Sequence, residues 1–257
     1  MFRGGRGRVN ALRGSHRYGG DAHFGAMIER IRVGAHNQTD IDAINRTWTR
    51  YSEEERLRMP QLRALRTSVE AYNTERLHQL PGPTSISDAV DEVFTPQQDK
   101  KVDASARLGR SALTQLCVKV GSPIIATRRL TPSVPTGTVG VVMQVSAKGI
   151  VCHFKGERVV PVRAVWDVHD TDGVVTGRRS QLPFILAWAV TIHRAQGSEM
   201  DCNCIDFSLD RTWACDGLVY AALSRVLSST CLCVRGLTMA HMKTSAVCLQ
   251  FWLSLLQ

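Results

Sequence analysis

Apolar positions in the first part of the chain recur at helical spacing. Phe24, Met27, Ile28 and Ile31 share one helix face, and Gly34 breaks the run. Thr39 or Asp40 is placed to cap a second, short helix carrying Ile41 and Ile44. From 51 to 83 the pattern stays mostly helical, with a short strand near Leu62 to Leu65, until Pro81, Gly82 and Pro83 stop it. Residues 84–112 are polar and mixed and read as a long connection.

At 116 the period changes. "LCVKVGSPIIATRRL", "TGTVGVVMQVS", "GIVCHFK", "RVVPVRAVWDVHD" and "GVVTGRR" are short β-rich runs separated by Gly, Pro and charged turns. They read as a small antiparallel barrel of about 60 residues. Beyond it, "FILAWAVTIHRAQG" is a strand feeding a helix, "CNCIDFS" a strand, "DGLVYAALSRVLS" a helix and "TCLCVRGL" a strand. That alternation belongs to a parallel sheet, so the fold class is α/β, with the barrel inserted between two parts of the parallel-sheet domain. The last run, "AVCLQFWLSLLQ", is too short to span a bilayer and reads as a packed terminal helix, so no membrane partner is expected.

The chain has 257 residues, 44% hydrophobic and 21% charged, which is ordinary globular composition. Its net charge of +9 changes the picture more. Such a field favours a polyanionic partner, nucleic acid first. Residues 1–20 form a basic arm without an acid, compatible with a mitochondrial transit peptide, a disordered arm, or Arg-Gly contacts to nucleic acid. Two of the cysteine pairs are C-x-C: Cys202 with Cys204, and Cys231 with Cys233. Two such strands side by side offer four thiols to a metal in principle. Both runs are apolar, however, so these cysteines read as reduced, intracellular core residues, and no metal is expected.

In "AWAVTIHRAQG" (187–197) a buried-looking run ends in Thr191, His193, Arg194 and Gln196. Strand ends of this kind are where α/β folds place ligands. "TIHRAQGSEMD" (191–201) followed by "VYAALSRV" (219–226) resembles the last two motifs of superfamily-one DNA helicases of the RecD-like, PIF type. The segments "VGSPIIATRRL…TGTVGVVMQV", "FGAMIERIRVGAHNQTDIDAIN" and "HRYGGD" resemble further stretches of that family, so the likeness covers most of residues 12–237.

The resemblance implies a RecA-like second domain, 2A, from residues 21–118 and 180–257, with an SH3-like barrel, 2B, at 119–179. It implies that Arg225 is the catalytic arginine finger on the γ-phosphate of ATP, with Arg17, Gln196 and Glu199 as further nucleotide contacts. A planar, permanently charged guanidinium suits that role. Thr191, His193 and Arg194, with Arg128 and Arg129 of the barrel, would meet the backbone of single-stranded DNA. The implied activity is ATP-dependent 5′-to-3′ unwinding, in DNA repair, recombination, telomere or mitochondrial DNA maintenance, in the nucleus or the mitochondrion.

No Gly-Lys pair occurs, hence no G-x-x-x-x-G-K-[ST] phosphate loop. "VDEV" at 90–93 lies in the wrong order for a Mg²⁺-holding motif and reads as a surface pair. ATP and Mg²⁺ are therefore expected only where a first RecA-like, P-loop domain is supplied, and no other small-molecule substrate is expected. Ala195 and Leu218 stand where the family pattern has a hydroxyl residue and Gln. The alternative is a non-enzymatic paralogue that binds single strands or regulates a full-length partner.

Overall fold

A computed structural model describes residues 17–94, 98–147, 149–198, 200–209 and 215–254. Residues 1–16 of the basic arm, and Glu199, lie outside the described residues. The chain forms two compact units, one from the stretches up to Leu65 and from Thr191 onward, the other from Arg66–Val190.

In the first unit the helix Ala22–Arg32 buries the four expected residues, Phe24, Met27, Ile28 and Ile31. The second helix, Gln38–Asn45, corrects the expected cap. Asn37, not Thr39 or Asp40, is the N-cap. Its side chain accepts the Asp40 N–H, and the Asp40 carboxylate accepts the Asn37 N–H in return. Asp40 is buried by this, and Arg30 meets its charge through Nε at 3.0 Å.

Three strands then run parallel in the order Gln61–Arg63, Asn203–Asp206, Leu232–Arg235. Asn203–Asp206 is buried along its whole length, as a central parallel strand must be. The 3₁₀ turn Arg46–Arg50 and the helix Gln38–Asn45 pack on Leu232–Arg235. The helix Ala246–Ser254 closes the described chain with Val247 exposed. Among the described residues no helix is long and apolar enough to cross a membrane.

The second unit opens with the helix Arg66–Gln79. Its Asn73 side chain donates to the Ala189 carbonyl at 3.0 Å and accepts the Ala189 N–H at 2.8 Å, fixing the chain as it leaves the unit. Five antiparallel strands lie in the order Phe184–Leu186, Pro123–Ala126, Val139–Ser146, Gly149–Phe154, Glu157–Val159. They enclose a core that includes Leu116, Val118, Ile124, Val142, Cys152, Phe154 and Phe184. Gly140 is required here: a Cβ on it would lie 2.4 Å from Phe154 Cδ1 and 2.5 Å from the His153 carbonyl.

The long connection expected at 84–112 is not one. It holds the strands Ser85–Asp88 and Val90–Val93 and the helix Gln98–Ser111. Val90–Val93 pairs with Val175–Gln181, which also pairs with Ala164–His169. All four residues of Val90–Val93 are exposed, so no apolar alternation marks the strand; a distant partner makes it. The acidic pair within it is also more than surface. Both carboxylate oxygens of Asp91 accept from the buried Arg179, at 2.7 and 2.6 Å.

Candidate functional site

The strand Ala189–Thr191 delivers the polar cluster foreseen at its end. The helix expected to follow is a single turn, Ile192–Ala195. Thr191 caps it: the backbone is extended, and the side-chain oxygen accepts the Arg194 N–H at 3.3 Å. That leaves the Thr191 O–H proton to donate elsewhere. Gln196 returns to extended backbone, and Gly197 at φ +86 ends the turn, a conformation that favours glycine. Ile192 and Ala195 are buried beneath, while His193, Arg194 and Gln196 are exposed.

The helix Leu218–Leu223 starts at Gly217, φ +73. Arg225 follows its C-cap, Ser224, so it stands at the end of that helix. A helix C-terminus, with unpaired carbonyls, accommodates a cation well. Arg225 Nε donates to the Ala221 carbonyl at 2.7 Å. Nη1 donates to the Ser198 carbonyl at 3.2 Å, and Nη2 to Ser224 Oγ at 2.9 Å. The Arg225 carbonyl accepts the Met200 N–H at 3.0 Å. One residue thus staples the 191–201 segment to the 219–226 segment.

Arg17, far away in sequence, reaches the same spot: its Nη2 donates to the Ser224 carbonyl at 3.1 Å. The hydrogen-bond partners of Arg225 are neutral carbonyls and a hydroxyl. Burial, and then the charge of Arg17, push the Arg225 pKa down. Two guanidiniums held together, one of them partly desolvated, make a place for a polyanion, whose charge would relieve their repulsion. Tyr18 and Tyr220 lie close; burial and the Tyr220 neighbour raise the Tyr18 pKa. Neither tyrosine is singled out by the sequence reading, although each lies inside a motif that is.

Asp21 is the missed positioning group. It caps Ala22–Arg32 by accepting the Phe24 N–H, and it accepts the Ser229 N–H and the Ser228 and Ser229 hydroxyls, at 2.8 to 3.0 Å. It therefore ties the Arg17 end of the first helix to the loop after Arg225. Burial raises its pKa, but the hydrogen bonds outweigh burial and hold it at about 2 against an ordinary 3.8. A depressed carboxylate contributes stability above its unfolded value and loses it as pH falls through the folded value. We expect thermal melts to show stability draining between about pH 4 and pH 2, and Asp21→Asn, which keeps a capping side chain, to flatten that slope. Equal slopes for the two proteins would show that the carboxylate charge does not matter here.

Of the other expected contacts, Arg128 and Arg129 belong to the Arg66–Val190 unit and are exposed. The Arg128 guanidinium sits 4.7 Å from the Trp166 ring centroid, which fixes its direction. Among the described residues no group of three or more His, Cys, Asp or Glu is placed to hold a metal.

No protein-family model matches the chain. It is 29% identical over 250 residues to the rat ATP-dependent DNA helicase PIF1, covering 92% of this chain and 37% of the rat protein. To the zebrafish ATP-dependent DNA helicase PIF1 it is 30% identical over 221 residues, covering 81% of this chain and 32% of the relative. The chain thus spans about a third of the length of these relatives. Among solved structures, Pif1 helicase from Candida albicans superposes with a TM-score of 0.76 at 24% identity, over 93% of this chain and 59% of that one. Bacteroides Pif1 in complex with ADP-AlF3 and single-stranded DNA superposes at 0.67 and 19%, over 91% and 54%. At these identities the structures show a shared mixed α/β fold.

Proposed function

The chain is a homologue of the PIF1 DNA helicases, corresponding to a C-terminal part of them without a P-loop, and from that premise we propose that it supplies the second half of an ATP-driven 5′-to-3′ DNA helicase. In this reading residues 21–118 and 180–257 form a RecA-like domain, and 119–179 an inserted SH3-like barrel built on four of the five antiparallel strands, Pro123–Ala126 to Glu157–Val159. A P-loop domain, in the same polypeptide or a partner, brings ATP and Mg²⁺. Arg225 and Arg17 then meet the γ-phosphate, where negative charge develops during phosphoryl transfer. Gln196 and Glu199, from the 191–201 motif, are further nucleotide contacts in this reading. Thr191, His193 and Arg194, with Arg128 and Arg129, hold the DNA backbone; exposed donors of this kind position a strand without reading its sequence. The chain would work where DNA is maintained, in the nucleus or the mitochondrion.

The observation that carries this reading is the convergence of Arg17 and Arg225 on Ser224. Two arginines from separate motifs meeting at one serine suit a compact, highly charged phosphate group. The second reading, a non-enzymatic single-strand-binding or regulatory paralogue, draws on the missing Gly-Lys pair and on Ala195 and Leu218.

The test compares ATP turnover, with and without single-stranded DNA, by this chain and by the chain joined to a P-loop domain. Turnover only in the joined form, stimulated by DNA, is the expected result. If neither form turns over while the chain still binds single strands with steep salt dependence, the paralogue reading replaces it.

A further inference from the structure

The two C-x-C pairs meet in the folded protein. Asn203–Asp206 and Leu232–Arg235 are neighbouring parallel strands, with Cys204 opposite Cys233 in register. Just ahead of the paired residues Asn203 and Leu232, Cys202 and Cys231, the latter ending the 3₁₀ turn Ser229–Cys231, are electrostatic neighbours. Cys202, Cys204 and Cys233 belong to one packed cluster. Tyr51 is an electrostatic neighbour of Cys231, Cys233 and Cys202, and Trp48, Tyr51 and Met59 pack over the cluster. Arg56 and Arg235 stand on the two sides of the Trp48 ring, 4.5 and 4.2 Å from its centroid.

The spacing selects the chemistry. Along a strand, thiols two residues apart are separated by about 6.6 Å, whereas neighbouring strands are only about 4.8 Å apart. A single tetrahedral ion would have to draw in all four corners of that rectangle. A disulfide needs only its short side, which lies within the roughly 4.4–6.8 Å between Cα atoms that such a bond spans. The thiols therefore form two rungs across the strands. The inner rung, Cys204 and Cys233, is fully buried, and a thiol–thiol hydrogen bond, joined by burial, pushes Cys233 far above the ordinary thiol range. The outer rung, Cys202 and Cys231, is half-exposed, and although burial also raises the Cys202 thiol, its exposure lets an oxidant reach it.

We propose that the outer rung, Cys202 with Cys231, is an oxidisable dithiol site whose co-substrate is a hydroperoxide. One thiolate attacks the peroxide oxygen, breaking the O–O bond and giving a sulfenic acid and water or an alcohol. The second thiol attacks that sulfur, forms the S–S bond and releases water, so two thiols are oxidised and one peroxide is reduced. The bond joins the start of the strand after the 191–201 segment to the start of the strand after the 219–226 segment. It does not rest on the helicase reading.

The test treats the folded chain with hydrogen peroxide, blocks remaining thiols with N-ethylmaleimide and maps the digested peptides by mass. The expected product is one cross-linked pair containing Cys202 and Cys231, about 2 Da lighter than the free peptides. It should vanish in Cys202→Ser and in Cys231→Ser, persist in Cys204→Ser, and scramble when the protein is oxidised in urea. Circular dichroism of each variant establishes that it is folded. Over-oxidation of single cysteines without the cross-link would overturn the proposal. So would stoichiometric Zn²⁺ binding that protects all four thiols from peroxide, which would make the cluster a metal site.

Discussion

Replacing Arg225 by alanine is expected to lower ATP turnover about a thousandfold, or about 4 kcal/mol of transition-state stabilisation, in the chain joined to a P-loop domain. The size follows from what the side chain is asked to do. Its guanidinium is already oriented by Ala221, Ser198 and Ser224, so little reorganisation is needed when charge develops on a phosphate nearby. Because the benefit appears in the transition state, kcat should fall far more than ATP affinity. Arg225→Lys keeps a charge but not the planar fork and should recover only a small part of the loss. The same side chain also staples two segments, so thermal melts must accompany the kinetics. A variant that melts much lower and loses turnover in proportion would speak for the staple alone. Turnover within threefold of the parent in a folded variant would remove Arg225 from the chemistry.

Arg179→Ala is expected to be the most damaging substitution to stability away from that site. Its buried side chain holds Asp91 with two nitrogens, and with the third it reaches the Leu108 carbonyl at 3.2 Å and the Ala112 carbonyl at 2.6 Å. It thereby joins the strand Val175–Gln181, the strand Val90–Val93 and the last turn of Gln98–Ser111. Truncation leaves two helix-end carbonyls without this donor and Asp91 without its cation. Breaking a buried pair costs about 3–5 kcal/mol; Asp91 is 36% exposed and can rehydrate, so we take about 3. That corresponds to a fall of roughly 6–12 °C in the melting temperature. Asp91→Asn, which leaves the carbonyl contacts intact, should cost much less. If calorimetry finds both variants melting within a degree or two of the parent, the network is ornamental.

Much of this architecture is legible in the sequence. Phe24, Met27, Ile28 and Ile31 announced their helix because burial on one face repeats every three or four residues. The strands between 115 and 181 announced themselves by alternation and by the turns between them. The region 84–112 did not, because Val90–Val93 has no buried face; its order comes from Val175–Gln181, more than eighty residues away. The cap of the second helix was misplaced by a few residues because Asn37, Thr39 and Asp40 all carry capping side chains, and only the backbone shows which one turns extended.

The site divides along the same line. Arg225, Arg17, Thr191, His193, Arg194 and Gln196 can be singled out from the sequence because their motifs are linear. Asp21 sat in plain view just ahead of a helix, which accounts for its capping of Phe24. Its second task depends on Ser228 and Ser229, which only the fold brings near. Tyr18 and Tyr220 were likewise invisible as partners, since proximity to Arg225 is a property of packing and not of spacing.

The division into two units has a consequence for how the molecule is made. The Arg66–Val190 unit is one uninterrupted stretch, whereas the other is split on either side of it. On a ribosome the central unit can complete its sheets while the strand Gln61–Arg63 still waits for its neighbours. That strand finds Asn203–Asp206 only after the intervening residues have emerged, and closing so long a loop is entropically cheaper once it is already compact. Until then the helix Ala22–Arg32 lacks Leu218–Leu223, the later helix that it contacts. A nascent chain stalled once residue 190 has left the exit tunnel should therefore carry a finished antiparallel half and a sticky, chaperone-binding N-terminal half.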